Sequence, residues 1–272
     1  HKGPDLIGPR ISRAFDIPYA IVEASRAQKR ADGPWARGFF LADEALQAAH
    51  ALGVVTRRDR PALEAFAPEA IVPFPPFVDT TPFQRLSTGD GHHVVCAGMM
   101  RPGRKAESFR ILADVFRIIR AERPDTRFTV AGDGEARGEL EPLFPPGTFT
   151  GLLAQDQLAH LFSRSDIFVW PAIDEPFGFV FLEAQAAGLP VVGGAARGVF
   201  DVVQDGKTGL LAEPTDAPAL ARATLSLLSD QDQRRAMASA ARSFAGENDL
   251  QAGAARLGAL LTHAARRHGK AP

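Results

Sequence analysis

An α/β fold with two parallel-sheet units is predicted for this chain by three observations. Short apolar runs of strand length alternate with helical stretches along the sequence. The alternation is interrupted over residues 74–90 by a stretch rich in Pro, Thr and Gly with no periodicity. The strand-like runs, Val94-Val95-Cys96-Ala97 and Ile167-Phe168-Val169-Trp170 among them, are apolar throughout rather than alternating, as in strands covered on both faces.

The totals narrow the function classes. A length of 272 residues suits two ordinary domains, and 45% hydrophobic with 23% charged residues is ordinary globular composition. A formal net charge of −1 gives no general attraction to nucleic acid. The single cysteine, Cys96, excludes an intrachain disulfide and points to a reducing, cytoplasmic setting. Its apolar neighbours make it a small core residue rather than a nucleophile. No run approaches the ~18 apolar residues of a membrane span, and no signal peptide is recognisable. The opening, His1-Lys2-Gly3-Pro4-Asp5-Leu6-Ile7-Gly8, reads like the middle of a domain, so further sequence is expected upstream.

Taken in order, residues 4–15 are expected as a helix opened by Pro4 and Asp5, and 17–22 as a strand. A polar, basic loop with Trp35 follows. A helix over 37–51, a strand over 52–56, a helix over 59–66 and a strand over 70–73 complete the first set. These are about three strands, few for a doubly wound sheet. Pro75 and Pro76 favour an extended, semi-rigid connection within 74–90. The second set has strands at 92–97, 127–131, 148–151, 167–170, 191–192 and 209–211. Its helices are expected at 106–122, 155–163, 179–187, 217–228, 231–245 and 250–263, with a weak one before Pro145-Pro146 and a helical turn near 197–200.

Residues 174–190, Asp-Glu-Pro-Phe-Gly-Phe-Val-Phe-Leu-Glu-Ala-Gln-Ala-Ala-Gly-Leu-Pro, organise the second set. Pro176 and Gly178 turn the chain after a buried strand, a helix starts near Phe179, and Gly188 with Pro190 stops it. Glu175 precedes the helix and Glu183 lies about one turn inside it. The amides of Phe177, Gly178, Phe179 and Val180 stand at the helix start, where unpaired N–H groups and the dipole favour an anion. Such a unit suits a charged, hydroxyl-rich ligand; the plain alternative is a helix entry with chance acids.

In an open parallel sheet, ligands gather at the carboxyl ends of the strands. That edge would collect residues 98–105, 132–134, 150–153, 175–180 and 193–199. Arg101, Arg104 and Lys105 on the first loop suit a diphosphate; alone, they would also suit a solvated basic loop. Gly132-Asp133-Gly134 echoes a dinucleotide fingerprint only faintly, with no acid ending a strand about twenty residues on, which argues against a nicotinamide enzyme. Asp230-Gln231-Asp232 reads as a helix cap rather than a metal site, and His92 and His93 have no partner at metal-ligand spacing.

The pattern Glu175-Pro-Phe-Gly-x4-Glu183-Ala, followed by Gly188-Leu-Pro-Val-Val, resembles the signature of retaining glycosyltransferases of the GT-B fold, family 4, the glycosyl transferases group 1. Val130-Ala131-Gly132-Asp133-Gly134, Phe149-Thr150-Gly151 and Val202-Val203-x-Asp205-Gly206-x-Thr208-Gly209-Leu210-Leu211 match the family in order. The resemblance covers 92–215 strongly and 1–90 loosely. It implies two Rossmann-like domains with parallel sheets. Residues 1–82 would be the C-terminal part of an incomplete acceptor domain, 83–246 the nucleotide-sugar-binding domain, and 247–272 a helix crossing back to the first.

The same resemblance implies a metal-independent hexosyltransferase that takes a UDP-, GDP- or ADP-sugar as substrate, has no cofactor, and uses a glycan, lipid or small molecule as acceptor. Glu175, Lys105 and Arg101 would be catalytic. Glu183 would hold the ribose hydroxyls and Leu152 lie near the base. Gly98, Arg104, Gly132, Gly134, Phe177, Gly178, Phe179 and Val180 would complete the donor site. Met99 stands where family members carry arginine, so Arg101 is expected to substitute. No nucleic-acid partner is implied, and membrane association is not indicated. A nucleotide-sugar epimerase of similar fold and a non-catalytic nucleotide-sugar-binding module stay open as alternatives.

Overall fold

The computed structural model describes residues 4–85 and 87–269; residues 1–3, 86 and 270–272, including the opening His1-Lys2-Gly3, lie outside the described residues. The chain divides into two compact units, one of residues 1–76 with 251–272 and one of residues 77–250.

The first unit holds a parallel sheet of β1 (Ala20–Ile21), β2 (Ala51–Val54) and β3 (Ile71–Pro73) in that order, with α1 (Gly8–Phe15), α2 (Ala36–Ala48) and α3 (Arg60–Glu64) between them. Several expected elements are shorter. Helix α1 starts at Gly8 because the Asp5 carboxylate takes the amides of Ile7 and Gly8, at 2.9 and 2.8 Å, as a turn rather than as helix. Strand β1 is cut to two residues because Pro18 has no N–H and the Tyr19 amide is taken by His50 Nδ1, 3.2 Å. The last helix, α11 (Leu250–His268), runs longer than expected. Its residues from 251 onward belong to this unit, with Leu260 fully buried, His263 Nε2 2.9 Å from the Glu69 carbonyl and Arg267 donating to the His50 carbonyl at 3.1 Å.

The second unit is a parallel sheet, six-stranded among the described residues. Its order is β6 (Phe149–Gly151), β5 (Arg127–Ala131), β4 (His93–Ala97), β7 (Ile167–Trp170), β8 (Val191–Gly194) and β9 (Gly209–Ala212). Every residue of β4, β7 and β8 is buried, which explains their unbroken apolar runs. Helix α4 (Arg104–Glu122) follows β4. It buries Phe109, Leu112, Phe116 and Ile119 at helical spacing, each worth about 1.5–3 kcal/mol of apolar transfer. Phe116 stacks on Phe128 at 4.2 Å and Phe109 meets Trp170 edge-on at 4.8 Å. The weak helix is a single turn, α5 (Arg137–Leu140), ended by a 3-10 turn over Glu141–Leu143. The sheet continues with α6 (Gln155–Phe162), α7 (Phe179–Ala186), α8 (Val199–Val202), α9 (Ala217–Ser229) and α10 (Gln231–Gly246). Asp230 caps α10, its carboxylate accepting the Gln233 amide at 2.9 Å.

The proline-rich stretch is not a free linker over its whole length. Beyond Pro76 it belongs to the second unit: Phe83 is fully buried there, the Ser87 amide donates to the Ala187 carbonyl and the Thr88 amide to the Ser163 carbonyl. No described helix is long and apolar enough to cross a membrane.

The strand order reverses between β4 and β7, with Val94 opposite Ile167 and Val95 opposite Phe168. Their amino ends are pinned by Asp166. This buried carboxylate accepts the amides of Gly91, His92 and His93 at 2.8, 3.1 and 3.0 Å and faces Arg234 at 3.8 Å. Burial lowers the pKa of His93, and its ring bridges the Arg164 carbonyl and the Thr129 hydroxyl. Asp166→Ala strands three amides and a buried guanidinium, and is expected to lower unfolding free energy by about 3 kcal/mol. Asp230→Ala removes only a cap and should cost about 1 kcal/mol. Urea denaturation checks the pair; an equal or reversed ranking contradicts the assignment.

Candidate active site

The carboxyl ends of β4 and β7 release their chains side by side, and each runs through a loop into a helix. From β4 the loop is 98–103 and the helix α4; from β7 it is 171–178 and the helix α7. The two loops are fixed differently. Residues 98–100 are strapped to 131–136 by backbone bonds: Gly98 N to Ala131 O at 3.0 Å, Met100 N to Asp133 O at 2.9 Å and Ala136 N to Met100 O at 2.9 Å. Gly132 and Gly134 have φ of +128° and +153°, and a Cβ on either would collide with the carbonyl oxygen of Gly98 or Met100. The Gly-Asp-Gly sequence is therefore a close backbone crossing, which accounts for its faint likeness to a dinucleotide fingerprint.

Loop 171–178 carries left-handed backbone at two non-glycine residues, Ala172 and Asp174, each with φ of 57°. Such conformations persist only where the surroundings over-determine them. Here the Ser108 hydroxyl of α4 accepts the Ile173 amide at 3.0 Å, Glu175 N bonds Ala172 O, the Gly198 amide bonds Glu175 O at 3.2 Å, and Arg197 pairs with Asp174 at 3.3 Å. A Cβ on Gly198 would fall on the Pro176 carbonyl, so the loop after β8 lies directly against it.

Between these loops is a cleft of about 300 Å³. Of the residues expected from sequence, Gly98, Lys105, Gly132, Leu152, Glu175, Gly178, Phe179, Val180 and Glu183 line it together. Met99, Asp133, Leu153, Leu158 and Trp170 also line it. Four expected residues are absent from the lining. Arg101 is exposed, and a turn closed by its amide on the Met99 carbonyl brings Met99 to the cleft instead. Arg104 is exposed and paired with Glu107 at 2.9 Å. Gly134 backs the loop against Met100, and Phe177 stacks on Phe179 at 5.6 Å.

The two glutamates differ in kind. Glu175 is buried, and its Oε2 accepts from Lys105 Nζ and from Trp170 Nε1, the latter at 3.3 Å. Lys105 Nζ also stands 5.3 Å from the centre of the Trp170 ring. Glu183 makes no side-chain hydrogen bond or ion pair among the described residues, and burial pushes its pKa up to about 6. At the rim, the Gly134 amide and the Arg137 guanidinium hold the Asp133 carboxyl below its ordinary range. Helix α7 begins at Phe179; the Phe181 amide donates to the Gly178 carbonyl at 2.9 Å, which leaves the amides of Phe179 and Val180, both residues of the cleft lining, without a partner earlier in the helix. The cleft thus offers the Lys105 cation, the unpaired acid Glu183, the fixed acid Glu175, the rim acid Asp133, a helix N-terminus and an apolar wall of Leu152, Leu153 and Leu158. Trp170 and Ser108 carried no sequence signal as site residues. Trp170 was read only as strand, and Ser108 sits mid-helix with its hydroxyl turned to another segment.

Comparison with known proteins gives consistent matches. Residues 91–230 match the family model described as glycosyl transferases group 1. The chain is 34% identical over 178 residues to the sulfoquinovosyl transferase SQD2 of Arabidopsis thaliana, covering 64% of this chain and 34% of that protein. It is 33% identical over 225 residues to the GDP-mannose-dependent alpha-(1-6)-phosphatidylinositol monomannoside mannosyltransferase of Mycolicibacterium smegmatis, covering 73% and 58%. The chain therefore spans between about one third and three fifths of the length of these relatives. Among solved structures, the fold is similar to the sucrose-phosphate synthase from Thermosynechococcus elongatus, with TM-score 0.74, 21% identity and coverage of 94% of this chain and 70% of that one. Anabaena HepE in complex with UDP gives 0.76, 18%, 94% and 75%. The fold is α/β with parallel sheets, of the GT-B type.

The raised pKa of Glu183 has a stability consequence. Because the folded value, about 6, exceeds the ordinary 4.5, the favourable contribution is complete below pH 4.5 and is lost as pH rises through 6. Relative to Glu183→Gln, the wild type should lose about 2 kcal/mol of stability between pH 4 and pH 7, read by urea unfolding at each pH. A constant difference across that range contradicts the half-buried, unpaired carboxylate.

Proposed function

This chain belongs to the glycosyl transferases group 1, and we propose that it moves a hexose from a nucleotide-sugar donor to an acceptor, with retention of anomeric configuration and without a metal ion. The observation that carries the reading is the convergence of Lys105, Glu175, Glu183 and the first turn of α7 on one cleft. A nucleotide sugar presents the complementary groups in sequence: a base, a ribose diol, a diphosphate and a hydroxyl-rich ring.

Glu183, a carboxylate with no protein partner, accepts hydrogen bonds from the ribose hydroxyls. The base lies along the apolar wall that includes Leu152. The diphosphate meets the α7 amides and Lys105. As the glycosidic C–O bond to the diphosphate breaks, negative charge grows on the departing phosphate oxygen. A fixed cation and oriented amides stabilise that charge more than they stabilise the bound donor, so they lower the barrier. Glu175 is placed to take hydroxyls of the donor sugar. Arg101 and Arg104, both exposed, serve at most the outer phosphate. The acceptor is a glycan, a lipid or a small molecule; the relatives include one named for a phosphatidylinositol monomannoside and one named glycogen synthase. The buried, unpaired Cys96 accords with the cytoplasm as the place of reaction.

At a hundredfold excess over its dissociation constant, a nucleoside diphosphate should stabilise the protein by about 2.7 kcal/mol, seen as a raised melting temperature with one of UDP, GDP or ADP. A flat response to all three contradicts the reading. The gain should shrink as pH falls below about 6, where Glu183 takes a proton, and Glu183→Gln should reduce that pH dependence to the part set by the terminal phosphate, which titrates in the same range. In the intact protein, Lys105→Ala should lower kcat by about a hundredfold; an unchanged kcat removes Lys105 from the leaving-group role.

A further inference from the structure

The proposed donor site leaves Trp170 without a role, yet it is the largest fully buried side chain among the described residues and it forms part of the cleft wall. Filling the core at the end of a central strand does not require an indole, and phenylalanines do that work at 109, 116, 162, 168 and 181. What tryptophan adds is one N–H, and it goes to the Glu175 carboxylate. Both donors that reach Glu175, the Trp170 indole and the Lys105 ammonium, converge on the same oxygen, Oε2. Its other oxygen, Oε1, has no hydrogen-bond partner among the described residues, although the residue is 9% exposed and lines the cleft.

We propose that Trp170 is a positioning residue, which by holding Oε2 of Glu175 presents Oε1 to a hydroxyl of the donor sugar. The inference rests on the nucleotide-sugar reading above. A carboxylate tethered by a single lysine swings about that contact, because an ammonium is a point donor on a flexible stem. A second donor on a rigid, fully packed ring fixes the carboxylate plane. Phe109 braces the ring edge-on, and the same ring face attracts the ammonium at 5.3 Å. The arrangement acts on the sugar and not on the nucleotide: Glu183 and the α7 amides make no contact with the indole N–H. Trp170 therefore sets the part of donor binding, and of transition-state binding, that depends on sugar hydroxyls.

The test is Trp170→Phe in the intact protein, which keeps a ring and deletes the N–H. The expected result is a loss of about tenfold in kcat/KM for the nucleotide sugar, with affinity for the nucleoside diphosphate alone unchanged within about twofold. In a Glu175→Gln background, Trp170→Phe should produce no further loss, because the two act as one unit. Equal losses in both backgrounds, equal weakening of the nucleoside diphosphate, or no change in kcat/KM each overturn the assignment. If phenylalanine leaves too large a cavity to fold, the benzothiophene analogue of tryptophan installed at 170 replaces N–H by sulfur at nearly constant shape and carries the same comparison. A wild type that binds no nucleoside diphosphate overturns the donor reading, and the role of Trp170 with it. A wild type that binds and turns over, beside a Trp170→Phe variant that matches it, overturns the role of Trp170 alone.

Discussion

The second unit depends on the pairing of β4 with β7. These strands are distant in sequence, parallel, and adjacent only because the sheet is wound outward in both directions from them. Asp166 fixes their amino ends by taking three successive amides of the incoming chain. With that end set, the carboxyl ends leave the sheet together, and the entries of α4 and α7 lie on either side of one crevice. Lys105 can reach Glu175, 70 positions later, only because of this pairing. Helix α4 reinforces it from below, where Ser108 holds the Ile173 amide. The left-handed residues Ala172 and Asp174 are then tolerated because the loop is tied on every side.

The two glutamates show how one cleft gives acids of similar type different surroundings. Glu175 has its charge balanced inside the protein by an ammonium and an indole N–H, so its orientation is set before any ligand arrives. Glu183 has burial without a partner, which is costly to the folded chain and leaves its hydrogen-bonding capacity for something else. A half-buried acid with no hydrogen-bond or ion-pair partner among the described residues, beside a helix N-terminus and a lysine, is an arrangement that a ligand with hydroxyls and phosphates would relieve. Stability given up at such a residue is a common feature of binding sites.

The elements legible in the sequence were those whose signal is local. Strands 127–131 and 167–170 and the helix from Gln155 were expected to within a residue, because buried apolar runs and caps report on themselves. The misread elements are those decided by groups elsewhere. Strand β1 lost length to His50, thirty-one positions away from Tyr19, and α1 lost its first turn to the Asp5 carboxylate. The stretch after Pro76 has linker composition, yet Phe83 anchors it in the core. For the site, a periodic signature singles out residues on one loop and one helix, so Glu175, Glu183 and the amides between them were visible. The basic loop was visible too, but which of its three cations reaches the cleft depends on the Met99–Arg101 turn, and a sequence gives no such geometry. The indole of Trp170 was hidden because its strand role alone accounts for its composition.

The central claim is that a nucleoside diphosphate occupies the cleft at the entry of α7. Amide and indole resonances of isotope-labelled protein, followed as the nucleotide is added, test it most directly. The two tryptophans give separate indole signals, with the exposed Trp35 as an internal reference. The amides of Phe179 and Val180 and the indole of Trp170 are expected to shift together while that of Trp35 stays in place. Saturable binding that moves residues elsewhere and leaves Phe179, Val180 and Trp170 unchanged would contradict it.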